Sequence, residues 1–572
     1  MAGRPYDILP GDHGKRIRVR ARGSAVLRIP RLNRGTAFTH DERRELGLEG
    51  LLPEAVTPLD AQLHRAYTRY LRTNSNLEKF AYLQGLRDRN TVLFYRLLSE
   101  HLDEMMPIVY TPTIGDAIQE FSLWYQRIAG VFCSIEAPDR IEQALRSIDR
   151  KPDDVDMLIV TDSEGILGIG DQGVGGVQIC LGKKSLYAAA GGVDPNRMVP
   201  VVLDVGTDNL QLLNDDLYLG LQHARVRGER YDAFIEAFVE AAQRVFPHAM
   251  IHWEDFGADN AHRILNAYRE RICTFNDDVQ GTAAVVAAAF IAGVRAKGER
   301  LSDQRVVIHG AGTAGIGIAD LLVDLMVAEG LTPAEARQRF WATSSRGLVT
   351  DEPTKRFRDF QRPYARAASE LTGWATDAPG AYHLADVVRN VHPTVLIGTS
   401  GQSGSFTEPV IKEMALHVDR PIIMPLSNPT ILAEATPTDV LTWTEGRALV
   451  ATGSPFGSVT LDETTYAVAQ ANNAFVFPGI GLGVSVCRAT RVTDAMIAAA
   501  AHAVASLVRI TRPGQSLLPH VGDLRRVSAT VAIAVARAAE AEGVAERPLT
   551  DPIQQVFDAM WQPVYPELIF SD

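Results

Sequence analysis

One segment constrains the fold more than any other: RVVIHGAGTAGIGIADLL, residues 305 to 322, where an apolar run meets a glycine-rich turn and a second apolar run. It reads as strand, tight turn and helix, the opening of a βαβ unit. Gly310, Gly312 and Gly315 stand in it as G-x-G-x-x-G. The first glycine permits the turn, the second lets backbone approach a pyrophosphate, and the third lets helix and strand pack closely. The helix N-terminus then favours the anionic group. Thr313 and Ala314 lie inside this turn and join the three glycines as candidate cofactor-binding residues. By itself the motif is weak, and a plain glycine-rich turn of an α/β domain is the competing reading.

The downstream residues support the stronger reading. Strand-like runs at TVLIGTS (394 to 400), RPIIMPLSN (420 to 428) and RALVATG (447 to 453) alternate with helical stretches. A parallel, doubly wound sheet requires that alternation. The second strand of such a unit usually ends in an acid that binds the ribose 2′-hydroxyl, yet FWATSSRGLV (340 to 349) offers Ser344, Ser345 and Arg346. Hydroxyls and a guanidinium suit a 2′-phosphate, so NADP is the expected cofactor and NAD the other option. The same residues also fit a solvated turn, with an acid from elsewhere on the ribose.

The first third of the chain has another texture. From Asp60 to Leu102 apolar residues recur at helical spacing, with Gly85 as the internal breaker. The runs MLIVT (157 to 161) and VPVVLDVGTDN (199 to 209) read as buried strands ending in loops. Helices are expected at Thr282 to Arg295, Thr493 to Val508 and Val527 to Glu542. The fold class is therefore α/β: a helical N-terminal region, a first α/β domain, and a Rossmann-type doubly wound dinucleotide-binding domain.

Composition enters by exclusion. A net charge of -12 works against binding a phosphate backbone, which points to a small-molecule partner and no nucleic acid. The apolar runs Ala283 to Val294 and Ala498 to Val508 fall short of the roughly 20 residues that span a bilayer, so no membrane partner is expected. The basic cluster Lys15 to Arg22 is not followed closely by an apolar signal core. Cys133, Cys180, Cys273 and Cys487 are too far apart for a zinc motif or a dense disulfide framework. A cytoplasmic protein is expected.

Two pairs of adjacent acids lie in apolar surroundings, in HWEDFG (252 to 257) and TFNDDVQGT (274 to 282). Grouped buried carboxylates are costly unless a cation or protons neutralise them, and an oxygen-only set points to Mg2+ or Mn2+. Neighbours on a regular strand face opposite sides, so Glu254 and Asp255 ligate together only where the strand breaks, and Gly257 supplies such a break. Each pair alone also reads as a helix cap or a solvated ion pair.

With these strings in view, the chain resembles the malic enzyme family, from LNRGTAF (32 to 38) to NNAFVFPG (472 to 479). VYTPT (109 to 113), GILGIGDQG (165 to 173), GKKSLY (182 to 187), DVGTDN (204 to 209), WEDFG, FNDDVQGT, LSNPT (426 to 430) and GSPFG (453 to 457) match in order. The resemblance implies an N-terminal malic enzyme domain over 1–280, an NAD(P)-binding domain with returning helices over 281–545, and a tail over 546–572. It implies metal-dependent oxidation and decarboxylation of malate to pyruvate, in a homodimer or homotetramer. Carried over by position, Glu254, Asp255 and Asp278 hold the metal, Lys183 is the general base, Tyr110 the general acid, and Asp277 orients the lysine. Asn428 and Asn473 bind substrate carboxylates, with Asn472 the weaker candidate of its pair.

One departure matters. Many members carry an arginine where TDSEGILG (161 to 168) has Gly165, so a bidentate clamp on malate is missing and a high malate KM is expected. Gly165 with HWEDFG also resembles the malolactic branch, which makes lactate with bound NAD and manganese, whereas DVGTDN and GSPFG resemble the pyruvate-forming branch. A third reading is a catalytically silent cofactor-binding homologue, against which Lys183, Tyr110 and the full carboxylate set argue.

Overall fold

The computed structural model describes residues 4–9, 16–126, 128–166, 168–352, 357–377 and 382–570. Lys15 of the basic cluster and Leu167 of the glycine-rich run lie outside the described residues. The chain divides into two compact units, Met1–Glu254 with Leu549–Asp572, and Asp255–Pro548.

The first unit opens on two short strands, β1 (Tyr6–Ile8) and β2 (Arg16–Val19), ahead of any long helix. The C-terminal strand Glu567–Phe570 pairs parallel with β2, and Ile17, Val19 and Leu568 join Phe38 and Leu46 in a small core. The expected helical stretch then forms as α1 (Leu59–Leu71), α2 (Asn76–Arg87), α3 (Thr91–Glu100) and α4 (Leu102–Val109). Its breaks differ from the expected one. Gly85 lies inside α2, and the helices restart at Ser75 and Asn90, whose side chains accept from the N–H groups of Glu78 and Leu93. A side-chain cap satisfies an orphan helix donor, whereas one glycine costs a helix only about 1 kcal/mol.

A parallel sheet comes next: β3 (Val131–Ser134), β4 (Met157–Thr161), β5 (Met198–Asp204) and β6 (Met250–Trp253), in the order β3, β5, β4, β6. Every residue of β4 and β6 is buried, which explains their continuous apolar runs. Helix α5 (Val177–Ala189) packs on β4 and β5 and carries the GKKSLY string.

The second unit is built on β7 (Val306–His309), α6 (Thr313–Ala328), β8 (Phe340–Ser344), β9 (Gly347–Leu348), α7 (Leu384–Val391), β10 (Val395–Gly398), α8 (Glu408–His417), β11 (Ile422–Pro425), β12 (Leu449–Thr452) and β13 (Ala469–Gln470). The sheet order is β9, β8, β7, β10, β11, β12, β13. All neighbours are parallel except β9, which folds back on β8 as an antiparallel hairpin. Helices Thr282–Lys297, Asp494–Ser506 and Leu524–Ala541 form where the small-residue runs place them.

The first of these extends further than the apolar run alone. A π-helical turn, Asp277–Gly281, leads into it, giving Asp277–Lys297 the length and apolar composition of a membrane span. Its most apolar window is 83% buried inside the structure, so here the apolar run serves a packed core. The four cysteines are buried thiols.

Candidate active site

The first unit gathers a chain of buried polar side chains. Lys183 lies on α5, and its Nζ is 3.0 Å from Glu254 Oε1, with both side chains 2% exposed. The other oxygen, Glu254 Oε2, is 2.7 Å from His252 Nε2. His252 Nδ1 is in turn 2.8 Å from the Tyr187 hydroxyl. Tyr187 follows Lys183 by one helical turn, so the two share a face of α5, while His252 and Glu254 flank Trp253 at the end of β6. Four polar groups are thus satisfied against one another where water cannot reach them.

Tyr110 joins this group from the C-terminal end of α4, with Lys183 Nζ 5.2 Å from its ring centroid. Gly182 makes the approach feasible, because a Cβ there would lie 2.5 Å from Ile114 Cδ1 and 3.0 Å from the Val109 carbonyl. Lys184, by contrast, has no part in the chain. Burial, with Arg87 and Arg150 nearby, pushes its ammonium down to about 7.

His252 and Tyr187 were not among the residues expected at the site, although both stand within strings that the sequence singles out. Their signal was spacing: Tyr187 at i+4 from Lys183, and His252 at i−2 from Glu254 on a strand, each on its partner's face. The turn after β4 is also heavily bonded. Arg225 holds Asp171 through two hydrogen bonds of 2.8 and 3.0 Å and donates to the Asp162 carbonyl. Arg227 pairs with Glu164 and Asp208. Arg225 and Arg227 are therefore both engaged by carboxylates.

In the second unit, Asp255 itself makes the strand break assigned in the sequence to Gly257, since its φ is +54° while Gly257 is at −55°. The Asp255 N–H donates to Asp278 Oδ2 at 2.8 Å, which joins two of the expected ligands. Asp277 and Asp278 both lie in the π-helical turn, where the Asn276 side chain accepts from the Val279 N–H. π-turns recur at functional sites because they re-aim side chains. Asn473 Nδ2 donates to the Asp277 carbonyl at 3.0 Å, to its Oδ2 at 3.1 Å and to Thr282 Oγ1 at 3.2 Å. Asn472 caps a short helix, its side chain accepting from the Ala474 N–H, and exposed Asn428 accepts from the Ser454 hydroxyl.

The glycine turn has the geometry its spacing predicts. Gly310 has a φ of +114°, and a Cβ there would lie 2.4 Å from the Thr399 carbonyl carbon. At Gly315 a Cβ would lie 2.2 Å from the Gly310 carbonyl oxygen. Gly312 caps α6, with Thr313 and Ala314 in its first turn. Beneath the turn, the buried Glu434 accepts from the N–H and hydroxyl groups of both Ser400 and Ser427. At the end of β8, the Ser344 hydroxyl accepts from the Arg346 N–H and donates to the Gly347 carbonyl. Ser345 and Arg346 form the exposed tip of that hairpin.

Two family models match the chain: "Malic enzyme, N-terminal domain" over residues 87–269 and "Malic enzyme, NAD binding domain" over 279–540. Among curated relatives, NAD-dependent malic enzyme 3 of Bacillus subtilis is 52% identical over 550 residues, covering 96% of this chain and 97% of that protein. The NAD-dependent malic enzyme of Pseudomonas aeruginosa is 46% identical over 545 residues, covering 95% and 96%. The crystal structure of the Entamoeba histolytica malic enzyme matches with a TM-score of 0.55 at 23% identity, over 90% of each chain. The structure from Pyrococcus horikoshii matches with a TM-score of 0.53 at 23% identity, over 80% of this chain and 88% of that one.

Proposed function

We infer the function from one premise: this chain belongs to the malic enzyme family. It oxidises and decarboxylates (S)-malate to pyruvate and CO2 while reducing NAD. The observation that carries this reading is the buried contact of Lys183 Nζ with Glu254 Oε1 at 3.0 Å, beside Tyr110. A lysine held among buried polar groups, within reach of a tyrosine, supplies a base and an acid in one place.

Lys183 takes the proton of the C2 hydroxyl as hydride leaves C2. Tyr110 delivers a proton to C3 after the C4 carboxylate departs as CO2. Glu254 holds the lysine, and His252 with Tyr187 holds the second carboxylate oxygen, so the base keeps one orientation through the reaction. Asp277, tied by Asn473, is the further carboxylate assigned to orienting the base.

Glu254, Asp255 and Asp278 fit a hard divalent cation. All are carboxylates, two are consecutive in the chain, and the Asp255 N–H fixes the Asp278 carboxylate. When bound, Mg2+ or Mn2+ supplies Lewis-acid stabilisation of negative charge on the substrate oxygens. Asn428 and Asn473 are the substrate-carboxylate candidates, with Asn472, whose Oδ1 caps a short helix, the weaker candidate of its pair. Gly310, Gly312, Thr313, Ala314 and Gly315 receive the pyrophosphate.

NAD is favoured over NADP on two grounds. The relatives are named NAD-dependent, and the Ser344 hydroxyl, expected on a 2′-phosphate, is spent inside its own hairpin. Pyruvate is favoured over lactate because the relatives are named malic enzymes.

A single assay tests the reading: malate, Mn2+ and excess NAD or NADP, monitoring reduced cofactor, pyruvate and lactate, with and without EDTA. Stoichiometric pyruvate and NADH, a higher kcat/KM with NAD, and loss of turnover in EDTA are expected. Lactate without net cofactor reduction would overturn the product. A higher kcat/KM with NADP would overturn the cofactor, and turnover indifferent to EDTA the metal.

A further inference from the structure

A second cluster of metal-ligating side chains lies in the dinucleotide-binding unit, away from the glycine turn. His392 directly succeeds α7, and Glu413 and His417 stand one turn apart at the end of α8. One ligand atom from each lies within 4.8 Å of the others. His417 Nε2 is 3.1 Å from Glu413 Oε1, and the two imidazole rings stack with centroids 3.6 Å apart at 17°. We infer that His392, Glu413 and His417 form a binding site for a divalent cation of the Zn2+, Ni2+ or Cu2+ class.

The ordinary explanation of histidines at helix ends is capping, and here that role is already filled. Arg305 donates to the carbonyls of Val391 and His392. Arg447 donates to those of Ala415, Val418 and Asp419. The helix ends are thus closed by guanidinium groups, and the two imidazoles face each other and Glu413 instead. His392 also adopts the left-handed region, with φ +49° and ψ +61°, where glycine is the usual helix terminator. A side chain held there at a cost is a departure from local preference that function can explain. Joint ligation requires one of the stacked imidazoles to turn, because a nitrogen lone pair lies in its ring plane and the two planes are near parallel.

The ligand chemistry selects the metal. Two imidazoles and one carboxylate suit borderline cations, whereas Mg2+ and Mn2+ prefer oxygen donors. Glu413 and His417 are about one third exposed, at 34% and 36% for their side chains, which leaves an entry path and an open position for water. The site lies just ahead of β10 and β11, at the strand ends opposite those that carry the glycine turn. Occupancy therefore braces α7 against α8 without entering the chemistry.

The test uses the full chain with saturating Mg2+, which fills the all-oxygen site. Equilibrium dialysis with Zn2+ is expected to give one more bound equivalent for wild type than for His417→Ala. The paramagnetic resonance spectrum of added Cu2+ is expected to carry nitrogen couplings that weaken in His392→Ala with His417→Ala. Malate turnover in Mg2+ should be unchanged in both variants, and Zn2+ should raise Tm only in wild type. Equal Zn2+ stoichiometry in wild type and His417→Ala would overturn the site. So would a Cu2+ spectrum identical in wild type and the double variant, and a wild-type spectrum free of nitrogen coupling would do so without any variant.

Discussion

The two units build their working parts from different materials. In the first, Lys183, Glu254, His252 and Tyr187 are long polar side chains wired end to end in a buried space. In the second, the turn from Gly310 to Gly315 works by lacking side chains, so that backbone meets backbone at Thr399 and Gly310. The first arrangement fails when a polar group is removed, because its neighbour loses a buried partner that water cannot replace. The second fails when a carbon is added, because no space exists for it. Electrostatics governs one and sterics the other.

The largest effect should come from breaking the wired side. Lys183→Ala is expected to lower kcat about 10³-fold or more. It should also cost about 1–3 kcal/mol of stability, since Glu254 Oε1 loses its buried partner while Oε2 keeps His252. Steady-state turnover and denaturant unfolding read the two effects, while NAD binding by fluorescence should persist. Turnover above a tenth of wild type would refute the assigned base.

Next comes the steric side. Gly315→Ala puts a carbon 2.2 Å from the Gly310 carbonyl oxygen and should cost about 1–3 kcal/mol, weakening NAD binding tenfold or more while leaving Lys183 and Glu254 undisturbed. Calorimetric titration with NAD checks it. Unaltered affinity would show that the turn does not receive the pyrophosphate.

The smallest effect sharpens the comparison on α6, the helix that leaves the glycine turn. Burial and the neighbouring Asp494 and Asp320 push Asp324 up to about 6. A folded-state pKa above the unfolded value of about 3.9 means that the native state holds the proton more tightly. Stability contributed there is present below about pH 4 and lost as pH rises through about 6. Asp324→Asn should therefore raise Tm by about 1–2 °C at pH 7.5, a small value because solvent screens a partly exposed group, and by nothing at pH 4. An equal Tm at pH 7.5 would assign that carboxylate no cost.

Much of this was legible in the chain itself. Strands β4, β7, β10, β11 and β12 announced themselves because strands buried on both faces must be apolar throughout. Other features were hidden by locality. The helix breaks at Ser75 and Asn90 depended on side-chain caps rather than on the glycine that drew notice. Asp255, in a left-handed conformation, makes the strand break that residue type alone assigned to Gly257. The hairpin contacts of the Ser344 hydroxyl with Arg346 and Gly347 also depended on β9 folding back on β8.

The sequence by itself determined the α/β class, the glycine turn and the two pairs of adjacent acids, because periodicity and spacing are properties of consecutive residues, whereas the roles proposed for Lys183 and Tyr110 rest on the family resemblance. Tertiary structure alone decided which partner each charge takes. Glu254 lies 71 positions from Lys183 in the chain and 3.0 Å from it in the fold, and His392 meets His417 across two helices. Such pairings are set by packing, which burial makes energetically decisive and linear spacing leaves open.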